Sequence, residues 1–380
     1  MVTTQQQSVG EYQVRPYRPT DRDRFLSLYE TVWGRRKSVD WFNWRFEANP
    51  YRDGVQMTVV ESDGELVGAE PLLPYRLRIG ETVHDVFQPV DWIVHPDHRR
   101  QGLFTRMTKA TLDRHLTDVS LFFNFPNEQL RPGLEQFDWE TVGSVACRYR
   151  VQNPRAFVDR TNADHSAIVA LAARVGTPVC GVGLNALDWL ASAPEEITIE
   201  RSSGVRIDAI HDLYSSTRPT GTHVVRDRPF LKWRFANPNW ETTSYVAVDD
   251  GETVGSLIAA TEQTDEARIC YLFDLQPMQT AATRPAAVEA LLGALLEDTT
   301  DVDLIRAPTD YYPGLFRRYG FCRDDAFPVS TASTRTTHAI RTPETSGTST
   351  VPADQQSRLS AERLTDPDHW QLTLADLDIE

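Results

Sequence analysis

At 380 residues the chain is longer than one ordinary domain, and its apolar content of 40% is ample for packed cores rather than a disordered chain. A formal charge of −15 argues against nonspecific binding to nucleic acid or to an anionic membrane. No apolar run reaches the roughly 18 residues of a membrane helix, and the start, MVTTQQQSVGEYQVRP, has neither the basic opening nor the apolar core of a secretion signal, so a cytoplasmic protein is expected.

In chain order, Tyr12 to Arg18 reads as a strand and Asp21 to Trp33 as a helix capped by Thr20 or Asp21. A short helix, Val39 to Glu47, stops before Pro50. Met57 to Glu61 and Glu65 to Leu73 form a hairpin around Asp63-Gly64, which Tyr75 to Ile79 extends. Val83 to Val94 supplies the next strand or strands, followed by a turn with Gly102 and an amphipathic helix from Leu103 to Leu116. Ser120 to Phe125 is a strand, Leu130 to Phe137 contains a short helix, and Val145 to Val151 is a last strand.

The pattern then recurs. WRFEANP at Trp44 to Pro50 returns as WRFANP at Trp233 to Pro238, GELVG at Gly64 to Gly68 as GETVG at Gly251 to Gly255, and PGL at Pro132 to Leu134 as PGL at Pro313 to Leu315. Three matches in one order with a slowly shrinking offset indicate duplication with loop deletions. The second copy has a hairpin at Asp250-Gly251, a strand at Ile269 to Leu275, a helix at Pro285 to Leu296, a strand at Asp303 to Ala307 and a helix at Pro313 to Tyr319. A helix from Ser166 to Val175 is expected in the connection. The run Thr331 to Ser357, rich in Thr, Ser and Pro, reads as flexible, and WQLTLADLDI near the end as a half-buried strand that docks back.

Only Lys37, Lys109 and Lys232 among the 39 basic residues are lysine, a halophilic pattern of excess acid with arginine as the cation. Cys147, Cys180, Cys270 and Cys322 show no metal or redox spacing and are expected to be buried small hydrophobes. The histidines show no metal spacing either, and no nucleophile elbow is present.

The stretch Gln88 to His115 carries the chemistry. A helix that starts at a glycine turn points unpaired N–H groups and its positive dipole end at one place, a natural site for phosphate. Arg99 and Arg100 add forked donors there. His95 and His98 flank the turn and face solvent or phosphate. Trp41, Trp44 and Trp233 recur at equivalent places as core residues, with Trp41 a candidate border of an acceptor site.

The order of elements, with Val94-His95-Pro96 leading into Arg99-Arg100-Gln101-Gly102-Leu103-Phe104, resembles the GNAT family of acyl-CoA-dependent N-acyltransferases. Phe104 departs from the family pattern, which has Gly or Ala there. The resemblance extends to Asn127 after the following strand and to a degraded Gly-Phe-like ending at Phe137-Asp138-Trp139, intact in the second copy at Arg317 to Phe321. The second copy has no Arg-x-x-Gly before its helix.

The resemblance implies an α/β fold of two tandem GNAT-like domains, each a central mixed sheet flanked by helices. The expected division is 1–155 with the acyl-CoA pyrophosphate loop, 156–335 degenerate, 336–357 linker and 358–380 a strand-like segment, in a protein from a salt-adapted, haloarchaeal-like organism. It implies acetyl-CoA (acyl-CoA) bound by Trp92, Ile93, Val94, Arg99, Arg100, Gln101, Gly102, Leu103, Phe104 and Asn127, with backbone N–H groups near Trp92 to Val94 polarising the thioester carbonyl. Asp91 and Glu70 are the candidate proton acceptors, and no metal is expected. The tyrosine that often protonates the departing thiolate has no match where Leu134 stands. The implied activity is transfer of an acetyl group to a primary amine of a small molecule or peptide, by a monomer or homodimer. The rival readings are a non-catalytic acyl-CoA sensor or scaffold, and an aminoacyl- or peptidyl-transferase with two such lobes, against which the intact turn speaks.

Overall fold

A computed structural model of the chain describes residues 12–153, 197–264, 267–278, 284–308, 312–326, 336–342 and 364–380. The expected helix at Ser166 to Val175 and Cys180 lie outside the described residues.

The first lobe opens with β1 (Gln13–Pro16) and α1 (Arg22–Trp33), which ends where Gly34 takes φ +67 and donates its N–H to the Glu30 carbonyl at 2.8 Å. The helix α2 (Val39–Phe42) is capped by Ser38, whose hydroxyl accepts the Trp41 N–H, and it widens into a π turn over Asn43–Glu47. The strands β2 (Met57–Ser62), β3 (Glu65–Ile79) and β4 (Thr82–Pro89) form the expected meander. The expected strand or strands over Val83 to Val94 are two, β4 and, after a break, β5 (Ile93–Val94), which rejoins β3. Next come α3 (Leu103–His115), β6 (Leu121–Asn124), α4 (Arg131–Glu135) and β7 (Glu140–Val145).

The second lobe contains β9 (Thr198–Ser203), α5 (Ile207–Ser216), β10 (His223–Val224), α6 (Arg228–Arg234), β11 (Glu241–Asp249), β12 (Glu252–Gln263), β13 (Arg268–Gln276), α7 (Pro285–Asp298), β14 (Leu304–Pro308), α8 (Pro313–Arg318) and β15 (Cys322–Arg323). The repeat is longer than its conserved letters: Asp227 caps α6 by accepting the Phe230 N–H, as Ser38 does for Trp41 in the first copy.

The strands β8 (Cys147–Val151) and β16 (Thr336–Arg341) overturn part of the expected division. The first sheet runs β1-β2-β3-β4-β6-β16-β7 and the second β15-β8-β14-β13-β12-β11-β9. The lobes therefore exchange a strand. The strand β8, expected in the first domain, pairs with β14 and β15 of the second lobe, and β16 lies between β6 and β7 of the first. So 1–155 is not a self-contained unit, and the start of the expected linker 336–357 is a sheet strand. The Thr-rich TTHAIR segment has linker composition, but Ala339 and Ile340 alternate between the two faces of the sheet and are buried. The exchange also divides the expected strand Val145 to Val151, because Ala146 marks the crossing.

One core joins the lobes. It packs Trp41, Trp44 and Tyr75 with Phe230, Trp233, Trp240 and Phe273. At its centre the Trp44 indole N–H donates to the Trp233 carbonyl and the Trp233 indole N–H to the Trp44 carbonyl, both at 2.8 Å. These reciprocal bonds sit on a local pseudo-twofold axis. The segment 364–380 docks against both lobes as expected, but it is not a strand. It forms tight turns at Pro367–His369 and Leu374–Asp376 and buries Leu374, Leu377 and Ile379. Cys147 and Cys270 are buried as expected, whereas Cys322 is exposed. No helix among the described residues is long and apolar enough to cross a membrane.

Candidate active site

The helix α3 has hydrophobic residues where its inner face demands them, with Leu103, Met107 and Leu112 buried against the sheet. Its N-cap is Gly102, at φ +70 and ψ 16, a left-handed conformation that costs an L-residue about 1–2 kcal/mol. Arg100 also has positive φ, at 62°. Among the described residues no side chain caps α3, so its first N–H groups are available to an anion. Arg99 and Arg100 are exposed and, among the described residues, have no carboxylate within ion-pair distance. Arg99 Nε donates to the Val94 carbonyl at 3.3 Å, which ties the basic turn to β5.

The same turn stands at a gap in the sheet. β4 and β6 pair in parallel at Val86 with Leu121 and at Phe87 with Phe122, and then part. β4 continues to Pro89, opposite Leu72, and β5 resumes with Ile93 opposite Ala69. The Val90–Trp92 stretch thus carries one residue more than β3 does, a bulge that bends the strand away from β6. Asp91, at its middle, has φ +46.

The two candidate carboxylates point to opposite faces of the sheet. Glu70 on β3 is sealed under α3, where it accepts the Thr108 hydroxyl at 3.2 Å. Burial pushes its carboxyl up to about 8. The Trp92 indole, outside hydrogen-bonding geometry, and the hydroxyls of Thr108 and Thr111 only partly offset that push. Asp91 turns toward the second lobe. Arg45 meets its Oδ2 through Nε at 3.0 Å and Nη2 at 2.9 Å. Burial pushes the Asp91 carboxyl up to about 8 against the pull of Arg45, and the nearby Glu380 and Asp378 carboxylates add to the push.

The first lobe is similar to a known domain. Residues 13–142 match the family model described as an acetyltransferase (GNAT) domain. The chain's fold is similar to that of solved GNAT structures. One such similar structure is a tandem GNAT protein from the clavulanic acid biosynthesis pathway, at 14% identity and a TM-score of 0.52, covering 88% of this chain and 99% of that one. A GCN5-related N-acetyltransferase from Anabaena variabilis ATCC 29413 is similar at 12% identity and a TM-score of 0.57, covering 88% and 73% of the two chains. A conserved protein from Enterococcus faecalis V583, described as a probable N-acyltransferase, matches with the same coverage and TM-score at 14% identity. No curated protein matches the sequence significantly.

Within the GNAT lobe, Phe104 has a structural explanation. Its ring packs between Trp92, at 6.0 Å, and Phe137, at 6.2 Å. A Cβ on Gly133 of α4 would stand 2.9 Å from the Phe104 ring. The large residue on α3 is thus matched by a missing side chain on α4, and the backbone of the turn is undisturbed. Trp92, Ile93, Val94, Gln101 and Leu103 gather with the two arginines around the turn and the break. Asn127 does not join them through its amide oxygen, which accepts the Leu130 N–H at 2.8 Å and starts α4. Trp41 is fully buried in the interlobe core.

Two residues had little signal in the sequence. Asn124 ends β6 beside the gap. Its Oδ1 accepts the Phe125 N–H at 2.6 Å, while its buried amide N–H group has no partner among the described residues. Arg45 was legible only as a letter repeated in both WRF motifs. The turn before α7 in the second lobe, residues 279–283, lies outside the described residues.

Proposed function

We propose that the chain is an N-acetyltransferase that holds acetyl-CoA in its first lobe and passes the acetyl group to a primary amine. One observation carries the reading: a helix start that no described side chain caps and two exposed arginines, with no ion-pair partner among the described residues, stand at the mouth of a gap between parallel strands, with a protonatable carboxylate at the strand break. The fit to the donor is chemical. The N–H groups of Leu103 and Phe104, with Arg99 and Arg100, suit a pyrophosphate, and Gly102 gives the backbone its left-handed turn with no atom within 4 Å of an added Cβ.

The thioester supplies the activated acyl group. The backbone near Trp92 to Val94 offers N–H groups to its carbonyl oxygen as negative charge develops there. An amine arrives at neutral pH as an ammonium and must lose a proton before its nitrogen attacks. Asp91 accepts that proton, the N–C bond forms as the C–S bond breaks, and the thiolate takes a proton from water. A group that titrates near 8 is matched to this task. The acceptor is a small-molecule or peptide amine, such as an amino sugar, a polyamine, an amino acid, an antibiotic or a protein N-terminus. The arginine-rich, acidic surface suits work in a salt-adapted cytosol.

A second reading is a non-catalytic acyl-CoA sensor, favoured by the engagement of Asp91 with Arg45. Thermal-shift titration with acetyl-CoA in high salt tests the shared part: stabilisation is expected in the wild type and not in Gly102→Val. Equal stabilisation in both sinks the cofactor assignment. Free-thiol release over an amine panel then separates enzyme from sensor.

A further inference from the structure

The segment 374–380 lies between two arginines that occupy the same place in the two copies of the repeat. Arg234 donates to the Ala375, Leu377 and Ile379 carbonyls at 2.9, 3.1 and 3.0 Å, gripping every second residue of the backbone. Arg45 instead grips side chains. Its Nη2 bonds Asp378 Oδ1, its Nε lies 3.7 Å from Glu380, and both nitrogens reach Asp91. Three carboxylates therefore converge on one guanidinium with 2% of its side chain exposed. Tyr29 of α1 donates its hydroxyl to Glu380, and Lys37 of the α1–α2 loop stands 3.4 Å from the same carboxylate.

We propose that Arg45, Asp378 and Glu380 are positioning residues: they hold the Asp91 carboxyl at the strand break and govern its protonation. The inference rests on the reading of Asp91 as the proton acceptor. Its physical basis is the charge balance around one buried cation. Arg45 draws Asp91 toward the ionised form, whereas Asp378 and Glu380 compete for the same guanidinium and repel a further negative charge. The groups that face Asp91 are Arg45 from the π turn, Tyr29 from α1, and Asp378 and Glu380 from the docked segment. Because that segment is clamped by Arg234, the second lobe contributes to the acid–base chemistry of the first.

The test is a carbon-13 carboxyl titration of the full-length protein, with the Asp91 signal assigned by its loss in Asp91→Asn. Asp378→Asn is expected to lower the Asp91 midpoint by about one pH unit, and Glu380→Gln to lower it in the same direction. Asp378→Glu keeps the charge and leaves the midpoint close to wild type. Arg45→Met raises it; should that variant not fold, the two carboxylate variants still decide. The acidic limb of kcat for acetyl-CoA with a panel amine moves with the midpoint, while KM for acetyl-CoA stays the same. An Asp91 midpoint that neither Asp378→Asn nor Glu380→Gln moves overturns the proposal. Wild-type turnover by Asp91→Asn overturns the proton-acceptor reading instead, so the two failures are separable.

Discussion

Arg45 and Arg234 stand in two copies of one motif, and the tryptophans before them exchange identical hydrogen bonds, yet the arginines do different work. Among the described residues Arg234 donates only to backbone carbonyls, while Arg45 is tied to a carboxylate at the strand break. Other aligned positions diverge in the same way. Glu70 on β3 corresponds to Leu257 on β12, both fully buried. Lys37 corresponds to Arg226, which bonds Asp274, Asp376 and Thr373. The contrast teaches that the duplicated parts build the junction and the unlike parts build the candidate site. Symmetry suffices for packing, because hydrophobic burial is non-directional. The proposed acyl transfer would need one cofactor turn and one proton acceptor, and at the positions proposed for these the first lobe departs from the second.

The largest expected effect tests the purely structural side. Arg226→Met strands the buried Asp274 and Asp376 carboxylates and is expected to cost about 3–5 kcal/mol in denaturant unfolding. A loss as small as that of a surface substitution would show that the second lobe does not need this clamp.

Next is the Glu70/Leu257 difference. Glu70 titrates near 8 when folded, above the ordinary carboxylate value. It is neutral in both states well below pH 4.5, and its burial penalises the fold increasingly as pH rises toward 8. Glu70→Gln should therefore match the wild type at pH 4 and be more stable by about 3 kcal/mol at pH 7. Unfolding at the two pH values checks this, and equal stability at pH 7 would refute the buried-acid description.

The tryptophan pair is expected to be energetically symmetric. Trp44→Phe and Trp233→Phe each remove one buried indole hydrogen bond and shrink a packed ring, for about 1–3 kcal/mol apiece. Unequal losses in urea melts would break the pseudo-twofold description of the junction. The smallest effect on stability belongs to the turn. Gly102→Ala strains a left-handed residue by about 1 kcal/mol yet weakens stabilisation by acetyl-CoA, whereas a change of the same size at Gly251 in the second lobe leaves the acetyl-CoA response unaltered.

Much of this was legible in the sequence. The β2–β3 hairpin at Asp63-Gly64, α1, α3 and the tandem repeat follow from local signals: turn residues, apolar period and recurring letters. The turn from Arg99 to Gly102 was readable because left-handed glycine and helix start are local properties. Asn127 shows the opposite case, since a capping role and a ligand role use the same side chain and its local bond to the Leu130 N–H was not legible in the sequence. The strand exchange was unreadable, because β8 and β16 have ordinary strand patterns and nothing local tells a strand which sheet to join.

By itself, then, the sequence determined that two like lobes exist and that the first has a left-handed glycine turn at a helix start, since periodicity, turn chemistry and repetition act over short distances. Only the tertiary structure decided that β8 and β16 trade places, that Gly133 makes room for Phe104, and that Asp91 shares Arg45 with Asp378 and Glu380. Those outcomes depend on residues as distant in sequence as Arg45 and Glu380 competing for the same space or charge. Such competition is settled by packing and desolvation once the chain has closed on itself.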